Sequence, residues 1–134
     1  MQGETVKMAY GVISNAQKVI EKLMKAPLPA DVAYWLKRNL VSIAKGCKEI
    51  EQKRNDLIVK YGEKQENGTY KLTNFSPEFV EEYNKLMPME FEATINQIEV
   101  SKLASVKLTM EEITLIDFLV CEERKIVLAT STIQ

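Results

Sequence analysis

Histidine is the side chain most often used to move protons or bind metal near neutral pH, and this chain of 134 residues has none. Its absence removes Ser-His-Asp and Cys-His catalysis, imidazole acid–base pairs and His-ligated metal. The two cysteines, Cys47 and Cys121, stand 74 residues apart and form no C-x-x-C spacing. Cys47 lies on the apolar side of a helical pattern, and Cys121 precedes Glu122 and Glu123, whose charge opposes a nucleophilic thiolate. Both read as reduced thiols of a cytosolic protein. The carboxylates give no converging set. Glu81/Glu82 and Glu111/Glu112 are neighbours on helical segments, about 100° apart around the axis, and do not meet on one ion. Glu90 and Glu92 share a strand face but fall short of the oxygen ligands a hard cation needs. No G-x-G-x-x-G or P-loop pattern occurs. The expectation is a protein that is not an enzyme and uses no cofactor and no metal.

Recognition is the chemistry that remains. Lys37, Arg38, Lys45 and Lys48 give one helical stretch a basic surface that begins beside Tyr34 and Trp35. Trp35 is either partly buried core or an interface anchor. Arg54 occupies a position on the apolar seam of the same stretch, where a charge must be paired and can set register or partner choice. The candidate partner-binding residues are therefore Trp35, Lys37, Arg38, Lys45, Lys48 and Arg54. The formal net charge of -1 hides a segregation: residues 1–60 sum to +5, residues 61–100 to -5 and residues 101–134 to -1. Such a chain can pair its own halves or pair with a second copy. The balance, slightly acidic overall, argues against non-specific nucleic-acid binding.

Hydrophobic spacing supplies the elements that hold these residues. A strand over 5–10 is followed by a helix over 12–25, with Ile13, Ala16, Ile20, Leu23 and Met24 at helical spacing. Pro27-Leu28-Pro29 stops it. From 30 to 61, Leu36, Ile43, Ile50 and Leu57 recur every seven residues, with Ala33, Leu40, Cys47, Arg54 and Tyr61 as a companion series. One helix of almost 50 Å is expected, folded back on the first, its far end covered by the C-terminal part or by a second chain. Gly62 would cap it. Asn67-Gly68 suits a type I′ hairpin turn or a surface loop. Ser76-Pro77 opens a short helix to about 87, Met89, Phe91, Ala93 and Ile95 alternate as a strand, and the phase slips at Asn96-Gln97 before Ile98 and Val100 resume it. Thr109 and Glu112 form a capping box for a helix over 110–120. Residues 125–130 read as a last strand. The N-terminus has neither the basic nor the apolar region of a signal peptide, and no apolar run approaches the length of a membrane span. The fold class is α+β: an N-terminal helical hairpin with one long helix, then a small mostly antiparallel sheet with two short helices, in a single domain.

This order of elements, with A-P-L-P-A-D-V-A-Y-W-L, D-L-I-V-K-Y-G-E ahead of an N-G turn, E-F-E-A-T-I and L-T-M-E-E-I-T-L-I-D-F-L-V, resembles a family of small uncharacterised proteins of tailed bacteriophages and prophages of Gram-positive bacteria. The resemblance covers about residues 5–120, chiefly 57–63 and 108–119; Arg54 in the seam and the tail after Cys121 depart from it. It implies a viral origin and a host-cytoplasmic setting, and it assigns no catalytic residue. The expected function is a non-catalytic protein that engages a host or phage protein, as a homodimer or higher oligomer, and disables a host factor or defence system. The alternatives are a head or tail accessory protein of the virion, and a sponge for a small molecule or nucleotide held by Lys37, Lys45 and Lys48.

Overall fold

The computed structural model describes residues 3–73 and 75–122. Strand β1 (Glu4–Ala9) runs directly into helix α1 (Tyr10–Lys25), and α2 (Ala30–Gly46) and α3 (Lys48–Tyr61) follow. Strands β2 (Glu63–Lys64) and β3 (Tyr70–Lys71) lead to α4 (Pro77–Asn84), β4 (Glu90–Ile95) and β5 (Ile98–Glu99). A 3₁₀ turn (Val100–Leu103), helix α5 (Met110–Leu115), a second 3₁₀ turn (Asp117–Leu119) and β6 (Val120–Cys121) complete the described chain. The fold is α+β, with the helical hairpin α1–α2 near its start. Among the described residues the strands form three two-stranded ladders: β1 with β4 and β2 with β3 antiparallel, β5 with β6 parallel. The strand read over 125–130 lies outside the described residues.

The β1–β4 ladder is in register from Glu4 opposite Ile95 to Ala9 opposite Glu90. Period-two alternation turns Met8, Phe91, Ala93 and Ile95 into the core, where α1 adds Tyr10, Ile13, Ala16, Val19, Ile20 and Leu23. The opposite face carries Thr5, Lys7, Glu92 and Thr94, all exposed. Helix α1 has no side-chain cap. Instead the first N–H groups of the helix reach the connector that precedes β4: Tyr10 donates to the Met89 carbonyl at 2.8 Å and Gly11 to that of Met87 at 2.9 Å.

Helix α2 lies along the edge of β4 that β1 leaves open. Asn39, fully buried, donates from Nδ2 to the Asn96 carbonyl and accepts the Asn96 N–H on Oδ1, both at 2.8 Å. Ser42 Oγ accepts the Thr94 N–H at 2.7 Å. One turn further, a Cβ at Gly46 would collide with the Glu92 carbonyl oxygen and sit 2.9 Å from the Phe91 ring. Residues 39, 42 and 46 thus meet residues 96, 94 and 92 in turn, and the helix takes the place of a third strand. Such cover shields an edge that would otherwise present unpaired N–H and C=O groups.

This contact explains why the helix expected over 30–61 is divided. Cys47 departs from helical geometry (φ -100°, ψ 14°), and α3 begins at the next residue. Before the break, the buried positions are Val32, Leu36, Asn39 and Ile43; Ala33 is exposed and Leu40 only half-buried. After it, Cys47 and Ile50 are buried, and Arg54, Leu57 and Tyr61 are half-buried, as their spacing predicts. The far end needs no second chain to cover it: α3 packs against α4 and β3.

Smaller differences follow from local chemistry. The helix from Met110 ends at Leu115 rather than near 120, where β-branched Ile113, Thr114 and Ile116 crowd and Thr114 Oγ1 bonds back to the Met110 carbonyl at 2.9 Å. The capping box at Thr109 and Glu112 forms as expected, and Glu112 also meets Lys22 of α1 at 3.2 Å. The Thr109 N–H and then Lys22 hold the Glu112 carboxyl below the ordinary carboxylate range. Val100 enters a 3₁₀ turn rather than extending β5. At the hairpin, Gly68 takes positive φ (86°) while Asn67 does not, so the tight type I′ geometry gives way to a five-residue loop closed by Gln65 and Thr69.

Asn39→Leu keeps the branched shape but leaves the Asn96 N–H and C=O without their side-chain partners; it should cost about 2–4 kcal/mol in urea denaturation. Gly46→Ala should cost about 1–3 kcal/mol by pushing α2 off β4, whereas Ala44→Ser, on the exposed side of the same turn, should stay within about 0.5 kcal/mol of the parent.

Candidate functional site

The rotation of α2 set by Asn39, Ser42 and Gly46 decides which of its residues face outward. Tyr34, Lys37, Arg38, Val41 and Lys45 stand on one side and overhang the exposed face of the sheet at Thr94 and Asn96. Together with Ser42 they line a groove of about 550 Å³ that contains three cations and no carboxylate. Arg38 is the best-held of the three. Its guanidinium lies 5.7 Å from the Tyr34 ring centroid and 5.9 Å from that of Trp35, and Nη1 donates to the Tyr34 hydroxyl at 3.0 Å. Tyr34 and Trp35 meet edge to face at 5.2 Å. The two rings hold the Arg38 fork in place, which lowers the entropy lost when it binds an anion.

A second groove, of about 450 Å³, opens on the other side of the same ridge, between the end of α1 and α2. Leu23, Met24, Leu28, Leu36 and Leu40 dominate it. Met24 is 63% exposed and Val41 46%, high values for large apolar side chains. Lys37 and Val41 belong to both grooves, so an apolar trough and a cationic one share a wall.

Of the residues singled out by sequence, Lys37, Arg38 and Lys45 come together here, and Trp35 flanks them, half-buried, on the rim of a smaller cleft with Asp31, Glu99 and Lys102. Lys48 begins α3, exposed, and lines neither groove. Arg54 lies elsewhere, against α4 and β3. The two series of charges do little to neutralise each other: among the described residues, Lys60 with Glu82 at 3.5 Å is the ion pair that joins residues 1–60 to residues 61–100. Lys37, Arg38, Lys45 and Lys48 take part in no ion pair among the described residues. Sequence reasoning missed Met24, Leu28, Leu40 and Val41 as a trough, and Ser42, Thr94 and Asn96 as its polar neighbours. The signal available was an excess of apolar positions on α2, at 40 and 41, beyond what one core-facing stripe needs.

Nothing in this arrangement activates a nucleophile. Cys47 is 1% exposed, and burial, then the Glu51 charge, push its thiol up from the ordinary range. Among the described residues, no group of three or more Cys, Asp or Glu side chains is placed to hold a metal ion, and no helix is long and apolar enough to cross a membrane. Comparison with protein-family models, with curated proteins and with solved structures gives no match.

In a Cys121→Ser variant, the remaining Cys47 should react with an aromatic disulfide reagent at least about a hundredfold more slowly in the native state than in denaturant. The native rate should rise only above the ordinary thiol range, because the raised value keeps Cys47 protonated at lower pH.

Proposed function

We propose that this is a non-catalytic binding protein whose α1–α2 face captures an acidic amphipathic helix of a protein partner. One observation carries the reading: the apolar trough and the cation-lined groove share Lys37 and Val41 as a common wall. A helix laid along that wall would place its apolar stripe on Leu28, Leu40 and Val41 and its carboxylates against Lys37, Arg38 and Lys45. This is recognition of a helix in a groove, with apolar anchors supplying affinity and the charged flank supplying orientation and selectivity. That Lys37, Arg38 and Lys45 form no ion pair among the described residues supports it, since their charge is open to a partner. The setting that goes with this reading is the one implied by the resemblance to phage proteins: the cytoplasm of a bacterial host, with a host factor or defence protein as the partner.

Selection of helical peptides from a random display library should return sequences with an apolar stripe flanked by Asp and Glu. Val41→Glu, and separately Lys37→Glu with Lys45→Glu, should each weaken the selected peptides at least about tenfold, and raised salt should weaken binding to the parent protein. Peptides with basic flanks, or binding indifferent to both variants, would overturn the proposal. Light scattering reads the competing occupant: a dimer of this chain dissolved by Val41→Glu would assign the trough to self-association.

A further inference from the structure

The opposite end of the molecule holds a cleft of different chemistry. It lies between α3, the β2–β3 hairpin and α4, and its volume is about 600 Å³. Its floor is Phe79, 4% exposed, stacked on Tyr83 at 5.5 Å with 29° between the rings. Its rim is Tyr70, 38% exposed, and Phe75, 65% exposed, with the Phe75 centroid 5.8 Å from that of Phe79. A phenylalanine left that open, beside a tyrosine, is an unusual use of aromatic area in a chain with nine Phe and Tyr in all.

Arg54 enters this cleft from α3, and Lys71 enters it from β3, with no carboxylate in the lining. The hydrogen-bonding demand of Arg54 is only partly met among the described residues. Its Nη2 reaches Glu51 Oε2 at 3.3 Å and Asn55 Oδ1 at 3.4 Å, while Nε is shut away from solvent with no partner among the described residues. Glu51 is itself shared, because the same Oε2 accepts the Tyr10 hydroxyl at 2.9 Å. A guanidinium offers five donors in a planar fork that matches a carboxylate. Most ligand pockets of this volume are apolar with a few polar groups that fix orientation, and this cleft has that composition.

We propose that the cleft is a binding site for a small amphipathic carboxylate, with an aromatic body against Tyr70, Phe75 and Phe79 and its carboxylate on the Arg54 fork. The site is independent of the α1–α2 grooves and stands or falls separately from the partner reading. Lys71 supplies the second positive charge, so the Arg54–Glu51 pair need not break for an anion to be attracted.

Titration with 1-naphthaleneacetate and its neutral analogue 1-naphthaleneacetamide tests the assignment by calorimetry. The carboxylate should bind at least about tenfold more tightly than the amide. Arg54→Met should reduce that preference and Arg54→Met with Lys71→Met should abolish it, whereas Phe75→Ser, at an exposed position where folding is not at stake, should weaken both probes about equally. Amide resonance shifts should gather at Tyr70, Phe75 and Tyr83. Equal binding of the two probes, absence of saturation by about 1 mM carboxylate, indifference to Phe75→Ser, or shifts gathered instead at Lys37 and Lys45 would each overturn the proposal.

Discussion

The structure depends on the cover that α2 gives to the edge of β4. A two-stranded sheet is marginal alone, and β4 carries backbone groups on its outer edge that need partners. The helix meets them in three different ways: the Asn39 amide pairs with both Asn96 backbone groups, the Ser42 hydroxyl takes the Thr94 N–H, and Gly46 permits contact with the Glu92 carbonyl by having no side chain. These contacts fix where α2 lies along the strand and also its rotation about its own axis. Once residues 39, 42 and 46 face the strand, Val32, Leu36 and Ile43 must enter the core, and Lys37, Arg38, Val41 and Lys45 must face solvent. The outward face of the molecule is thus a consequence of a backbone contact on its inner side.

That constraint also marks where the sequence was legible. Elements whose register is set by a plain apolar period were readable: β4 from its alternation, α1 from its stripe, α4 and α5 from Ser76 and Thr109 as caps. The contact of α2 with β4 was not, because two of the positions that meet the strand are Asn39 and Gly46, and an apolar count discards both. Counting instead selected Ala33 and Leu40 as companions to Leu36 and Ile43. The true signal is a polar residue three after one core position and four before the next, which in a helix places it inside. A buried asparagine must then have partners, and Asn39 finds them in the backbone of Asn96, where the strand alternation slips.

The candidate site was legible in composition but not in geometry. Lys37, Arg38 and Lys45 fall within three turns of one helix, so any helical reading brings them together. Their relation to Thr94 and Asn96, and the trough beyond Lys37, exist only because α2 is rotated as it is. Arg54 illustrates the converse. Its heptad position puts it, half-buried, on the covered side of α3, where the cover is the β2–β3 hairpin and α4, so its surroundings are aromatic. Periodicity reports that a residue faces inward and is silent on what it faces.

The segregation of charge along the chain has a physical consequence that the net value of -1 conceals. Had the basic and acidic segments been interleaved in space, their fields would cancel within a few ångströms. One ion pair joins them among the described residues, Lys60 with Glu82, and it lies at the far end of α3 from the α2 ridge. At physiological ionic strength the screening length is about 8 Å, so an approaching ligand feels the local ridge and not the molecular total. On the proposed reading, the ridge would select by sign at encounter, while the apolar trough beside it would hold what has been selected. Affinity from such a trough would be insensitive to salt and attraction from the ridge would not, and the shared wall would let the two act on the same ligand.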